Sequence, residues 1–145
     1  MRILRDLRYQ AASARALDDR QLKLAVCNSS ISGAVTVVRS TGPILIGDGG
    51  DATASCEGSN IGGIVRIIDA SSGVEFGGNT ASGLVTIIGN NVNPATVLTA
   101  DDANVEIESN HLGAGLNCIH NTPAPINEGR PNAVVGQRWG QCQAL

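Results

Sequence analysis

Aromatic side chains are almost missing from this chain, with one Phe, one Tyr and one Trp in 145 residues. A compact interior normally uses such residues as its largest fillers. This interior must instead be narrow, and packed with Val, Ile, Leu and Ala. The same scarcity argues against a cleft that stacks sugars. Charge is also sparse, at 16% of residues with a net charge of −3. Arg2, Arg5, Arg8, Arg15, Arg20 and Lys23 crowd ahead of residue 24 without making a basic face. Nucleic acid and anionic membrane are therefore not expected partners. No stretch approaches the ~20 apolar residues of a membrane span. "MRILRDLRYQ" lacks the apolar run of a secretory signal. No CxxC pair supports a local zinc or redox centre.

What the chain has in quantity is glycine, 18 residues, and a repeat. "ISGAVTVV" from Ile31, "IGGIVRII" from Ile61, "ASGLVTII" from Ala81 and "LGAGLNCI" from Leu112 share one pattern. An apolar residue and a small pair lead into alternating apolar positions, the signature of a half-buried strand. The starts lie 30, 20 and 31 residues apart. That spacing predicts a coil of roughly 20 residues with extra chain at 51–60 and 93–102. A shorter strand follows each copy, at Ile44 and Ile46, Val74 and Phe76, Val105 and Ile107, and near Ile126.

Short strands joined by Gly, Asn, Ser and Asp corners, with no helix between, point to an all-β fold. The expected architecture is a short right-handed parallel β-helix, a β-solenoid of about 4–5 coils. Stacking would line up Val35, Val65, Val85 and Leu116 as one inward ladder, and Val37, Ile67, Ile87 and Cys118 as another. Thr36, Arg66, Thr86 and Asn117 would face outward. A β-sandwich is the alternative. Residues 1–26 form an N-terminal segment, either a cap or a leader, with helical spacing over 2–16 and a strand from about Leu22 to Val26. The coils occupy 27–117, and 118–145 is a C-terminal cap.

The four cysteines, Cys27, Cys56, Cys118 and Cys142, are widely spaced and even in number. Two disulfides in an oxidising compartment fit that usage, with four free thiols as the other reading. Of three connectivities, Cys27–Cys56 with Cys118–Cys142 is favoured. The first two occupy near-equivalent corners. The second pair would close a loop of about 25 residues, a stabilisation of roughly 3 kcal/mol on the loop-entropy estimate.

The closing stretch "CIHNTPAPINEGRPNAVVGQRWGQC" resembles the end of a group of uncharacterised secreted bacterial β-helix-like repeat proteins. Their tail reads C-x-x-N-T-P-A-P-x-N-x-G-x-P-N-x-V-x-G-x-x-x-G-Q-C. Cys118, Asn121 to Pro125, Asn127, Gly129, Pro131, Asn132, Val134, Gly136 and Gly140 to Cys142 carry the match. The resemblance implies a secreted or cell-surface β-helix protein and no activity. At the level of architecture the chain is also similar to bactofilins, short β-helices that polymerise end to end.

The sequence offers no catalytic, metal or cofactor set. Cys118, His120 and Cys142 have no fourth ligand close by. "GDGGD" at 47–51 occurs once, where a calcium roll would repeat it. Glu75 and Glu106 hold equivalent outward positions but have no basic partner. His111 and His120 lack a nucleophile. Pro123 and Pro125 end regular pairing, and Trp139 is expected to cover the last coil. The expected function is therefore a non-enzymatic structural or surface-interaction module that self-assembles head to tail. The alternative is a protein that binds or acts on cell-wall polysaccharide.

Overall fold

The computed structural model describes residues 9–10, 24–48, 56–96 and 103–145. In chain order its strands are β1 (Tyr9–Gln10), β2 (Leu24–Val26), β3 (Ser30–Ile31), β4 (Val35–Val38), β5 (Ile44–Ile46), β6 (Asn60–Ile61), β7 (Val65–Ile68), β8 (Val74–Gly77), β9 (Thr80–Ala81), β10 (Val85–Ile88), β11 (Val105–Glu108), β12 (His111–Leu112), β13 (Leu116–Ile119), β14 (Ala133–Val134) and β15 (Arg138–Gly140). No α-helix occurs among the described residues; the helical pieces are 3-10 turns such as Pro94–Thr96 and Gln141–Ala144.

The strands form three sheets. The first has the order β1-β3-β6-β9-β12-β14, the second β15-β13-β10-β7-β4 and the third β11-β8-β5-β2. Every pairing is parallel except that of β1 with β3. The chain thus visits the three sheets in rotation, and one visit to each will be called a rung. Parallel pairing without an intervening helix is possible because each strand is only 2 to 4 residues long and a tight corner redirects the chain.

The corner leaving the second sheet is made the same way in the first four rungs. Arg39, Asp69, Gly89 and His120 all take positive φ, between 54° and 68°. Glycine is free of the steric penalty there, whereas Arg39, Asp69 and His120 bear it. Corners of equal length keep the register equal. Ile31, Ile61, Ala81, Leu112 and Val134 are aligned. So are Val35, Val65, Val85 and Leu116, and Val37, Ile67, Ile87 and Cys118, all buried. In the third sheet Ile46, Phe76 and Ile107 stack. The inward residues of all three sheets make one hydrophobic cluster.

The extra chain leaves at two different corners. Fourteen positions separate Ile46 from Asn60, where Gly77 and Thr80 are three apart. Seventeen separate Ile88 from Val105, where Ile68 and Val74 are six apart. Neither insertion disturbs the register of the strands that follow, because each falls between one completed strand and the next.

Four expectations change. Tyr9–Gln10 is a strand against β3 and not part of a helix; residues 1–8 and 11–23, which hold the remainder of the expected helix, lie outside the described residues. Parallel pairing begins with β2 and runs on to Gly140, so Cys118 belongs to a strand inside the stack and a C-terminal cap does not begin there. Ile126 bridges Glu106, in the outward row, and does not continue the Val105 or Ile107 rows. Trp139 lies in β15 beside Asn117, on the outer face of the second sheet, and does not cover the end of the stack. Its ring sits over Gly115, where a Cβ would collide with it.

Candidate functional site

The buried chemistry of this molecule is concentrated at two columns of corner amides. At the corner entering the first sheet, the Asn79 backbone N–H donates to Oδ1 of Asn110 at 2.9 Å, and its side-chain amide donates to the same oxygen at 3.1 Å. The Asn79 amide also donates to the Ile46 carbonyl at 2.7 Å. Asn110 repeats the arrangement on Asn132 and on the Phe76 carbonyl. Ser59 begins the column by donating its N–H to Asn79.

A second column stands at the corner leaving the second sheet. Ala70 N–H donates to Asn90 Oδ1 at 2.9 Å. The Asn90 N–H and amide donate to Asn121. Asn121 does the same to Gln141 Oε1, at 2.9 and 3.1 Å. Gln141 then closes the column by donating back to the Asn121 carbonyl at 2.8 Å. Each amide carries two donors and an acceptor, so identical side chains satisfy one another and the backbone of the rung below. Buried corner backbone that would otherwise be costly is thereby paired.

The second column stops at Ala70, which occupies the place of Asn90 one rung earlier. Ala70→Asn is expected to add a member, accepting from the Ser40 N–H and donating to Asn90 and the Val37 carbonyl. We expect a gain of about 1–2 kcal/mol, read as a midpoint rise of about 3–5 °C. An unchanged or lower melting point would show that the site lacks room for the amide.

Both disulfides have the expected connectivity. Cys27 and Cys56 join corners one rung apart, with Cα atoms 4.7 Å apart, and Cys118 and Cys142 are bridged at 5.2 Å. Pro123 is exposed and Pro125 buried, both in the irregular stretch between the bridges at Thr122 and Ile126.

The C-terminal rung departs from the others where it faces the core. Arg138 aligns with Leu116, and Gly140 with Cys118. A cation and a glycine thus replace the apolar inward pair. The Arg138 guanidinium turns to the Asn132 carbonyl at 2.8 Å. Cys142 and Leu145, from the final turn, fill the space instead and join the hydrophobic cluster. An inward charge on a terminal strand discourages further strand addition.

Two outer faces remain. On the third sheet Leu45, Glu75 and Glu106 are aligned, and Glu108 binds Arg130 at 2.9 Å. On the second sheet one row holds Thr36, Arg66, Thr86, Asn117 and Trp139, and the next holds Val38, Ile68, Ile88 and Ile119. Leu84, Ile119 and Trp139 are exposed by 37%, 36% and 42%, so this face presents large apolar side chains to solvent. His111 and His120 are exposed and lie on a strand and a corner of rung four. Among the described residues no three His, Cys, Asp or Glu side chains come together as a metal site.

Comparison with protein families, curated proteins and solved structures finds no match for this chain. The amide columns were not anticipated from the sequence. Their signal was an Asn set directly after a left-handed corner residue, as in Gly78-Asn79, Gly89-Asn90, Ser109-Asn110 and His120-Asn121.

Proposed function

We propose that this chain is a short right-handed β-solenoid that acts, without catalysis, as a structural or surface-interaction module outside the cell. Its three parallel sheets, visited in rotation around one core, support the solenoid, and parallel crossovers are right-handed in nearly all sheets. Two disulfides are compatible with an extracellular protein. No helix among the described residues is long and apolar enough to cross a membrane. The resemblance of the closing segment to secreted β-helix-like repeat proteins agrees with this placement.

The observation that carries the reading is the outer face of the second sheet. Its rows are in register across five strands, and Leu84, Ile119 and Trp139 are exposed on it. Large apolar side chains exposed on one face mark candidate interaction sites. Trp139 is the single tryptophan, so its fluorescence reports on this face alone. Cell-envelope fragments added to the protein are expected to shift that emission. Ile88→Glu with Ile119→Glu should weaken retention on the fragments by at least roughly tenfold, the scale of a disrupted interface centre. Retention equal to that of the unaltered protein would overturn the assignment of this face.

The aligned Glu75 and Glu106 favour a second reading, a protein that binds or cleaves cell-wall polysaccharide. Paired carboxylates flank the scissile bond in glycosidases. That reading expects reducing ends to be released from purified polysaccharide and lost in Glu75→Gln and Glu106→Gln.

A further inference from the structure

The two ends of an apolar stack must be covered or used, and here the cover at one end is described in full. Rung five, from β14 to the final turn, is held to rung four by three kinds of contact besides apolar packing. Backbone bonds run from Ala133, Val135 and Gly136 to Asn110, Leu112 and Ala114, and from Leu116 back to Gln137. The amide columns end in it at Asn132 and Gln141. The Cys118–Cys142 bridge ties its last turn to the core. Apolar packing comes from Val134, Cys142 and Leu145, because Arg138 and Gly140 hold the two inward positions of β15. Beneath it lie Leu112, Leu116 and Cys118, all with no exposed surface.

We propose that rung five is a redox-held cap, and that reduction of Cys118–Cys142 uncovers the end of rung four as an assembly surface for a second copy of this chain. The reductant is a dithiol. One of its thiolates attacks a cysteine sulfur and forms a mixed disulfide, releasing the other cysteine as a thiolate that takes up a proton. Its second thiol then displaces the mixed disulfide. The protein gains two thiols and the dithiol becomes a disulfide. Although both sulfurs are buried, the bridge joins the core to a terminal turn of 4 residues whose Gln143 and Ala144 are exposed. Exposed turns open locally far more often than cores.

Once the cap lifts, three features point to a like copy as the occupant. The outer edge of β13 becomes a free strand edge, a template for pairing with another strand. Leu112, Leu116 and Cys118 become an apolar end surface. Asn110 and Asn121 lose their acceptors, and the chemistry that satisfies an uncovered ladder amide is another such amide. The same uncovered end on a second copy supplies all three, joined face to face about a two-fold axis. While the bridge is intact, inward Arg138 keeps the end closed. The inference rests on the solenoid reading above.

The test uses the full chain with Cys27→Ala and Cys56→Ala, so that one bridge remains to be reduced. Amide exchange and light scattering are followed before and after dithiothreitol, over about a hundredfold range of concentration. The expected result is exchange of 133–145 faster by at least roughly tenfold, with 65–88 still protected, and a concentration-dependent dimer that reverts on reoxidation. In Cys118→Ala with Cys142→Ala the same opening and dimer should appear without reductant. A reduced protein that keeps 133–145 protected overturns the cap, and one that opens there but stays monomeric overturns the assembly surface. Nuclear Overhauser contacts between Val65 and Val85 in the oxidised monomer read the solenoid separately, since their absence would sink that reading while leaving the exchange result standing.

Discussion

Asn110→Ala should cost the fold about 3–5 kcal/mol, summed from several buried polar groups at 1–3 kcal/mol each. The substitution removes the donor to the Phe76 carbonyl and the acceptor of the Asn79 N–H, and breaks the link to Asn132. None of these groups can turn to water, because Asn79, Asn110 and Asn132 are all buried. The melting midpoint should fall by about 10 °C at the slope usual for a chain of this size. Asn110→Asp, nearly identical in shape, should be no better, since a carboxylate has no donor for Phe76 or Asn132. Asn28→Ala is the comparison. Asn28 is exposed, makes a side-chain bond to Glu57 at 3.3 Å and has φ 48°, so its loss, with alanine strained at positive φ, should be about 1 kcal/mol. Equal losses at Asn28 and Asn110, measured by denaturant titration, would mean that the columns add nothing beyond ordinary corner structure.

Phe76→Ala should be similarly severe, with a loss of about 3–5 kcal/mol. Phe76 is the single phenylalanine, and it is fully buried between Ile46 and Ile107 in its row. In a stack the gap left by a large residue is hard to close. The strands above and below are fixed by their own hydrogen bonds at about 4.8 Å, and cannot move inward without breaking register. Phe76→Leu should lose only about 1–1.5 kcal/mol because it keeps most of the volume. A loss below about 1.5 kcal/mol for the alanine variant would mean that the interior collapses more easily than this geometry allows.

The strand positions were legible because the corners are equal in length. Ile31, Ile61, Ala81 and Leu112 could be aligned by eye, and the two insertions fall outside the strands they separate. The cysteine pairs were legible for a related reason, since Cys27 and Cys56 stand four and five residues before Ile31 and Ile61. Rung five was hidden because Arg138 and Gly140 erase the alternation that marks a strand; only its backbone bonds reveal it. Trp139 looked like a lid from its place near the chain's end. Its actual seat depends on the missing side chain at Gly115, a relation across rungs that no local window contains. Tyr9–Gln10 shows the opposite failure, in which helical spacing was overridden by an available sheet edge. The amide columns were the largest omission. An Asn in a turn reads as a turn residue, and nothing in one corner says that another Asn lies directly above it.

The way these amides satisfy one another has a consequence for how such a chain can change in length. An Asn in either column accepts at Oδ1 from the previous rung and donates its own N–H and amide to the next in the same way, so the column has no preferred number of members. The first column ends at Asn132, and Gln141, one methylene longer and bonded back to the Asn121 carbonyl, ends the second. A tandem duplication of one uninterrupted unit of about 20 residues therefore leaves every existing contact class intact and displaces the terminus by a single strand spacing, about 4.8 Å. The molecule is in that sense a ruler, graduated in whole rungs, with the end mark of its second column carried by one glutamine.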